Sequence, residues 1–269
     1  MGLQRFFINT SPRNKIMKEL CLVDGDIVCY RCAATANGLP KDIALVRTDE
    51  LMRRILYETN ATNYKVFLSG ANNFRYTIFP EYKAHRKDKP RPEHLEATKE
   101  FLVTEWKATI TDGYEADDEL AIEQVAAGTG SVIASIDKDL LQIPGYHYDF
   151  VKGIERFVSP FDALRCFYKQ LITGDGSDGI PAFDGKIRGS VPKFVQRLLD
   201  PIDSMTDELD MYKYVCSVYE DSFGNPFGWD FLEQIIHRNA HCLYLLRREG
   251  DKWHPPGQKE DDELSLPTL

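Results

Sequence analysis

Apolar positions along this chain alternate between short continuous runs and helical spacings. Residues 19–23 (ELCLV), 65–68 (KVFL) and 131–136 (SVIASI) are short apolar runs of the kind that form buried parallel strands, and 108–111 reads as a further strand. Helical spacing fills the gaps between them. It covers 27–36, a segment capped by Thr48 with Leu51, Ile55 and Leu56 on its buried face, 92–106, and 115–127 with Leu120, Ile122, Val125 and Ala126 as apolar positions. Residues 147–150 and 155–158 alternate about Lys152-Gly153 and predict a hairpin. Ser159 then caps a helix with Pro160 in its first turn, running to about residue 172. A short helix before Leu199 and two more at 205–219 and 229–246 complete the reading. Strands alternating with helices predict an α/β fold with a mainly parallel central sheet flanked by helices. The expected organisation is an N-terminal extension over 1–17, a core over 18–173, helices over 174–250 and an acidic tail over 251–269.

Composition narrows the function classes. No apolar run reaches the roughly eighteen residues of a membrane span, and the first twenty residues lack the apolar stretch of a signal peptide. Gly2 follows the initiator, but Phe6 occupies the Ser/Thr place of a myristoylation signal. The six cysteines are therefore expected to be reduced, and the location cytoplasmic, that of the host cell if the source is viral. Cys29-x-x-Cys32 and His237-x-x-x-His241 have zinc-like spacings, but the former pair falls on an apolar helix and reads as core. The formal net charge of −9 argues against a polyanionic partner until the placement of the charges is considered.

Acidic residues gather at the ends of elements. Asp24 and Asp26 follow the first strand, and Glu115, Asp117 and Asp118 open a helix. Asp137 and Asp139 follow the 131–136 strand, and Asp175 and Asp178 sit in the glycine-rich turn GDGSDG. Acidic first turns suit a helix dipole, and Asp-Gly turns are ordinary loop chemistry. An Asp-x-Asp directly after a buried strand is different, because like charges there repel unless a cation lies between them. The carboxyl ends of parallel strands share one edge, so these groups could meet. All-oxygen ligation selects Mg²⁺, with Mn²⁺ as substitute, and two such ions suit in-line phosphoryl displacement. Arg75, Lys83, Arg86, Lys87, Lys89 and Arg91 make 74–94 the most basic stretch, interleaved with aromatics as in phosphate contact with base stacking. Lys186, Arg188 and Lys193 flank glycines before the short helix and form a second candidate phosphate contact.

In order, VDGD (23–26), NFR…PEYKAHRK (73–87), YEADDELA (114–121), SIDKDL (135–140) and GDGSDGIP (174–181) resemble the flap endonuclease and 5′→3′ exonuclease superfamily over roughly residues 20–199. The similarity is greatest to its bacteriophage members and to the exonuclease domain of bacterial DNA polymerase I. The resemblance implies a PIN-like core, a helical arch over the site (about 74–106) and a helix–hairpin–helix element after the last acidic pair. It implies metal-dependent hydrolysis of DNA, or of RNA in a hybrid, from a 5′ end or at a flap, in replication, primer removal or DNA degradation, with no obligate protein partner. Carried over, Asp24, Glu115, Asp117, Asp118 and Asp139 would hold one metal, and Asp137, Asp139, Asp175 and Asp178 would surround the second. Lys83 and Arg86 match the arch residues that contact the scissile phosphate, and Tyr82 would lie near a substrate base.

Two places depart from the family. Its members often carry an Asp soon after the second strand, where LSGANNFR has Gly70. The hairpin run FDGKIRGSVPKF is irregular, which argues against the family's K⁺ site. Two other classes stay open. In a haloacid-dehalogenase-type phosphatase, Asp24 would be the nucleophile and Asp26 the general acid, with most other acidic residues idle. A catalytically inactive nucleic-acid-binding scaffold would keep the fold and lose the chemistry.

Overall fold

The computed structural model describes residues 17–87, 89–223 and 228–257; the N-terminal extension and most of the acidic tail expected from the sequence lie outside this range. Six strands form one sheet in the order β3-β2-β1-β4-β5-β6. They are β1 (Lys18–Asp24), β2 (Ala61–Leu68), β3 (Thr109–Ile110), β4 (Ser131–Ala134), β5 (Gly145–Asp149) and β6 (Ile154–Val158). All neighbours pair in parallel except β5 and β6, which form the antiparallel hairpin expected about Lys152-Gly153.

The central strands are covered on both faces. Cys21, Val23, Val66, Leu68, Val132 and Ala134 point to one side, where α1 (Gly25–Thr35), α2 (Lys41–Thr59) and α4 (Leu95–Glu105) pack. The alternate residues Leu22, Phe67 and Ile133 face α5 (Ala116–Ala127). This explains why β1 and β4 read as continuous apolar runs rather than alternating ones. A separate helical core joins α6 (Pro160–Thr173), α7 (Lys193–Leu199), α8 (Glu208–Phe223) and α9 (Trp229–Leu243).

Two expectations change. Thr48 does not cap a helix: α2 begins at Lys41, and the buried Thr48 hydroxyl donates to the Ala44 carbonyl one turn back. In the 74–106 segment expected as a helical arch, the long helix is α4, and the part before it is mostly not helical. Between 74 and 94 the described chain has only α3 (Arg75–Ile78) and a 3-10 turn, Ala84–Arg86. Pro80, Pro90 and Pro92 interrupt helix here. Instead the segment lies down on the sheet edge, with Lys83 at φ 55° and its amide donating to the Asp178 carbonyl. Cys29 and Cys32 belong to the sheet core, as their apolar helix predicted, while His237 and His241 pack around Trp253 beside α9. Among the described residues, no helix is long and apolar enough to cross a membrane.

Candidate active site

Four of the acidic groups converge because strand ends and helix starts share one edge of the sheet. Asp24 is the last residue of β1 and caps α1, accepting from the Ile27 amide at 3.0 Å. The Ser135 hydroxyl, just past β4, donates to its other oxygen at 2.6 Å. Asp137 follows, and its carboxylate accepts from the Asp139 amide at 2.9 Å. Glu115 is the N-cap of α5, in a capping box with Asp118. In the GDGSDG turn, Asp175 accepts from the amide and hydroxyl of Ser177. Gly174 at φ +64° makes that turn possible: a Cβ there would lie 2.5 Å from the Ile180 carbonyl oxygen.

The electrostatics show a shortage of positive charge. Burial pushes the Asp24 carboxyl up to about 7, with Asp26 and Asp137 adding repulsion. Asp117 is raised well above the usual carboxylate range by burial and by Asp24, Asp137 and Glu115. Asp139 rises to about 9 through burial, the Asp137 charge and a hydrogen bond shared with Asp175. Asp175, though burial opposes it, is held below its ordinary value by that bond and by Ser177. A cavity of about 20 Å³, the size of a single water molecule, is lined by Tyr82, Glu115, Asp117, Asp139, Gln170 and Asp178 among others.

Cations from the cover segment close the other side. Lys83 Nζ lies 2.5 Å from Glu115 Oε1 and 3.5 Å from Asp178 Oδ2, and Arg86 reaches Asp178 Oδ1 at 2.6 Å. The Tyr82 hydroxyl lies 2.9 Å from Glu115 and 2.7 Å from Asp178, two acceptors for one hydrogen. Burial pushes Glu115 up, but the Lys83 and Arg75 charges outweigh it and hold the carboxyl below its usual range.

Several residues singled out from the sequence have other roles. Arg75 is buried and cannot meet nucleic acid. Its guanidinium forks onto both oxygens of Asp118 at 2.6 and 2.8 Å and donates to the Cys242 and Tyr244 carbonyls. Asp118, 0% exposed, also accepts from the amides of Glu115 and Leu246, which removes it from the metal set. The Tyr82 ring is 2% exposed and packs edge-on against Tyr76, so Tyr82 cannot stack on a base; Tyr76 is the aromatic that this segment presents to solvent. Arg188 is tied to Asp184 by both nitrogens, whereas Lys87, Lys186 and Lys193 are exposed. Asp26 accepts from the Ser69 amide and pairs with Lys99 at 3.0 Å, which occupies the general acid of the phosphatase reading. At Gly70 a Cβ would come 2.1 Å from the Thr111 carbonyl oxygen, so this edge has no room for a further carboxylate.

Ser135 and Gln170 were not singled out from the sequence, and Ser69 only as a loose fit to the phosphatase reading. Ser135 and Gln170 each hydrogen-bond a candidate ligand, Asp24 and Asp175 respectively, and the Ser69 hydroxyl accepts from the Ala116 amide at the start of α5. The available signal was position alone, since Ser69 and Ser135 directly follow strands.

The donor set suits a hard cation: carboxylate oxygens only, with Asp24, Asp117 and Asp139 pushed toward protonation by burial and by neighbouring carboxylates. Among the described residues no three His, Cys, Asp or Glu side chains converge closely enough to hold an ion as they stand. Their present partners account for this, since Glu115 is engaged by Lys83, Asp178 by Arg86, and Asp139 by Asp175.

The chain matches known proteins in sequence and in fold. Residues 19–166, more than half of the chain, match the family described as 5′-3′ exonuclease, N-terminal resolvase-like domain. Flap endonuclease Xni of Shewanella amazonensis is 27% identical over 210 residues, covering 71% of this chain and 80% of that protein. A 5′-3′ exonuclease of Buchnera aphidicola is 30% identical over 187 residues, covering 61% and 65% respectively. Among solved structures, the T5 D15 protein co-crystallised with metal ions superposes with a TM-score of 0.60 at 18% identity, over 83% of this chain and 89% of that one, and so shares the fold.

Proposed function

The chain belongs to the 5′-3′ exonuclease family and is a nuclease of the exonuclease and flap-endonuclease kind; from that premise we propose that it hydrolyses phosphodiester bonds at 5′ ends and flap junctions of DNA, or of RNA in a hybrid, with divalent cations. The observation that carries the metal is the pair Asp117 and Asp139, raised by burial and by neighbouring carboxylates, on the wall of a cavity of one-water size, with Asp24 raised beside them. Such a set is stabilised when a cation replaces the shared protons.

Asp24, Glu115, Asp117, Asp137, Asp139, Asp175 and Asp178 are the residues that would hold Mg²⁺ or Mn²⁺. A bound divalent cation supplies an acidified water and stabilises the leaving oxygen. Lys83 and Arg86 do the rest of the electrostatic work. They hold Glu115 and Asp178 in the free protein, and a phosphodiester laid over the edge presents them with a second acceptor. The exposed Tyr76 gives a base a stacking surface, and Lys87, Lys186 and Lys193 contact backbone phosphates.

A 5′-labelled flap duplex and a matched blunt duplex, each with Mg²⁺ or EDTA, test this. Mg²⁺-dependent release of the label is expected, its length separating stepwise from junction cleavage. Asp117→Ala should abolish release while leaving the fold intact, since one of the repelling charges is gone. Binding without cleavage in Mg²⁺ would favour the inactive scaffold, and normal cleavage by Asp117→Ala would overturn the metal assignment.

A further inference from the structure

The register of the sheet sets a hydroxyl between two of the acidic groups. β1 and β4 pair in parallel with Val23 opposite Ala134, so the next step along each strand brings Asp24 beside Ser135. The Ser135 side chain is 9% exposed, and its backbone amide is fixed on the Tyr148 carbonyl of β5. Its hydroxyl has one hydrogen, donated to Asp24 Oδ2 at 2.6 Å, and its oxygen accepts the Asp137 amide at 3.0 Å. Asp137 in turn takes the Asp139 amide on its own carboxylate at 2.9 Å. The chain of donors thus runs Asp139 to Asp137, Asp137 to Ser135, Ser135 to Asp24. One side chain thus ties the Asp24 carboxylate at the end of β1 to the backbone of the turn after β4, where the Asp137 carboxylate accepts the next amide.

Without that hydroxyl nothing in this chain of bonds ties the carboxylate of Asp24 to the turn that carries Asp137 and Asp139. The Ile27 amide holds one oxygen of Asp24 but leaves the carboxylate plane free to swing about it. We propose that Ser135 is a positioning residue for divalent-cation binding, fixing the Asp24 carboxylate and the 137–139 turn as one preorganised unit. Ser135 touches neither cation nor substrate and acts through its two neighbours. Outer hydrogen bonds of this kind orient ligand oxygens, and their loss typically weakens metal affinity by about 10–100-fold. The inference rests on the metal-dependent reading of the site.

The test measures cation binding alone, by calorimetric titration of Mg²⁺ into the full chain without nucleic acid, alongside cleavage at rising Mg²⁺. Ser135→Ala should weaken cation affinity by about 10–100-fold. Its cleavage defect should shrink as Mg²⁺ is raised, which a general loss of folding would not do. Ser135→Thr keeps the hydroxyl and should bind within a few-fold of the parent chain, by the same logic. If the alanine chain does not fold, Ser135→Cys offers a poor donor in similar space and should show the intermediate affinity. Equal affinity of the parent and Ser135→Ala overturns the inference and spares the proposed function. So does a threonine variant as weak as alanine. A parent chain that binds no divalent cation overturns both.

Discussion

Asp117 and Asp118 share the first turn of α5, yet a step of about 100° between successive helical residues sends them to different surroundings. Asp117 faces Asp24 and Asp137, and burial and their repulsion outweigh the pull of Lys83. Asp118 turns inward onto Arg75, where both of its oxygens are used. From sequence the two were indistinguishable. The capping-box spacing of Glu115 and Asp118 hinted at a structural role, but Arg75 lies 43 positions away and the Leu246 amide 128 away, beyond any local pattern. Arg75 looked like a nucleic-acid contact for the same reason, since a basic residue in a basic stretch gives no sign of being buried. The pair has a measurable consequence. Arg75→Ala strands a carboxylate at 0% exposure and should cost about 3–5 kcal/mol in urea unfolding, whereas the double change Arg75→Met with Asp118→Leu should cost much less. Equal losses for the single and double variants would show that the pair is not what holds this part of the fold.

At the scale of elements, periodicity located most of the strands and helices, because a doubly covered parallel sheet and helices against it leave strong patterns. It failed where geometry depends on remote partners. Thr48 read as a cap because threonine favours caps, but inside α2 its hydroxyl finds the Ala44 carbonyl instead. The 74–94 stretch read as an arch through resemblance, whereas Lys83 and Arg86 draw it down onto Glu115 and Asp178. The strand β5 carries a testable titration of its own. His147 is buried, bonded to the Ile143 carbonyl, and pushed down to about 4 by burial and secondarily by Arg156. Its folded value lies below the ordinary 6.5, so its contribution is whole above pH 6.5 and is lost as pH falls toward 4, where the unfolded chain takes up a proton that the fold refuses. His147→Gln keeps a donor for Ile143 and removes the titration. The stability advantage of the parent chain over this variant should therefore shrink by up to about 3 kcal/mol between pH 6.5 and 4, read from urea unfolding at each pH. A constant difference across that range would mean that His147 titrates normally.

Across the whole molecule, charge is sorted rather than averaged. A formal charge of −9 spoke against nucleic acid, yet many of the acidic side chains that matter are gathered at one sheet edge, where cations would neutralise them. The bases that remain available lie to either side of that edge. Lys87 belongs to the 74–94 segment, Lys186 to the turn between α6 and α7, and Lys193 to the first position of α7. A duplex whose end sits on the carboxylates would contact both groups. That arrangement makes binding depend on salt through a few discrete contacts, not through overall charge, which is repulsive. Lys186 is 73% exposed, with Asp184 no closer than 4.0 Å, so its charge is free for a phosphate, while Arg188 is already held by Asp184. Binding of a flap duplex in Ca²⁺, followed by anisotropy over a range of salt, separates these roles. Each true phosphate contact removed should flatten the slope of log K against log salt by roughly 0.9. Lys186→Ala with Lys193→Ala should therefore flatten it by about 1.8, and Arg188→Ala should change it far less. Cleavage rate at saturating substrate should stay near that of the parent, because neither lysine is among the candidate metal ligands. An unchanged slope in the double variant would take the turn between α6 and α7 out of the path of the duplex and leave the cover segment as its main basic contact.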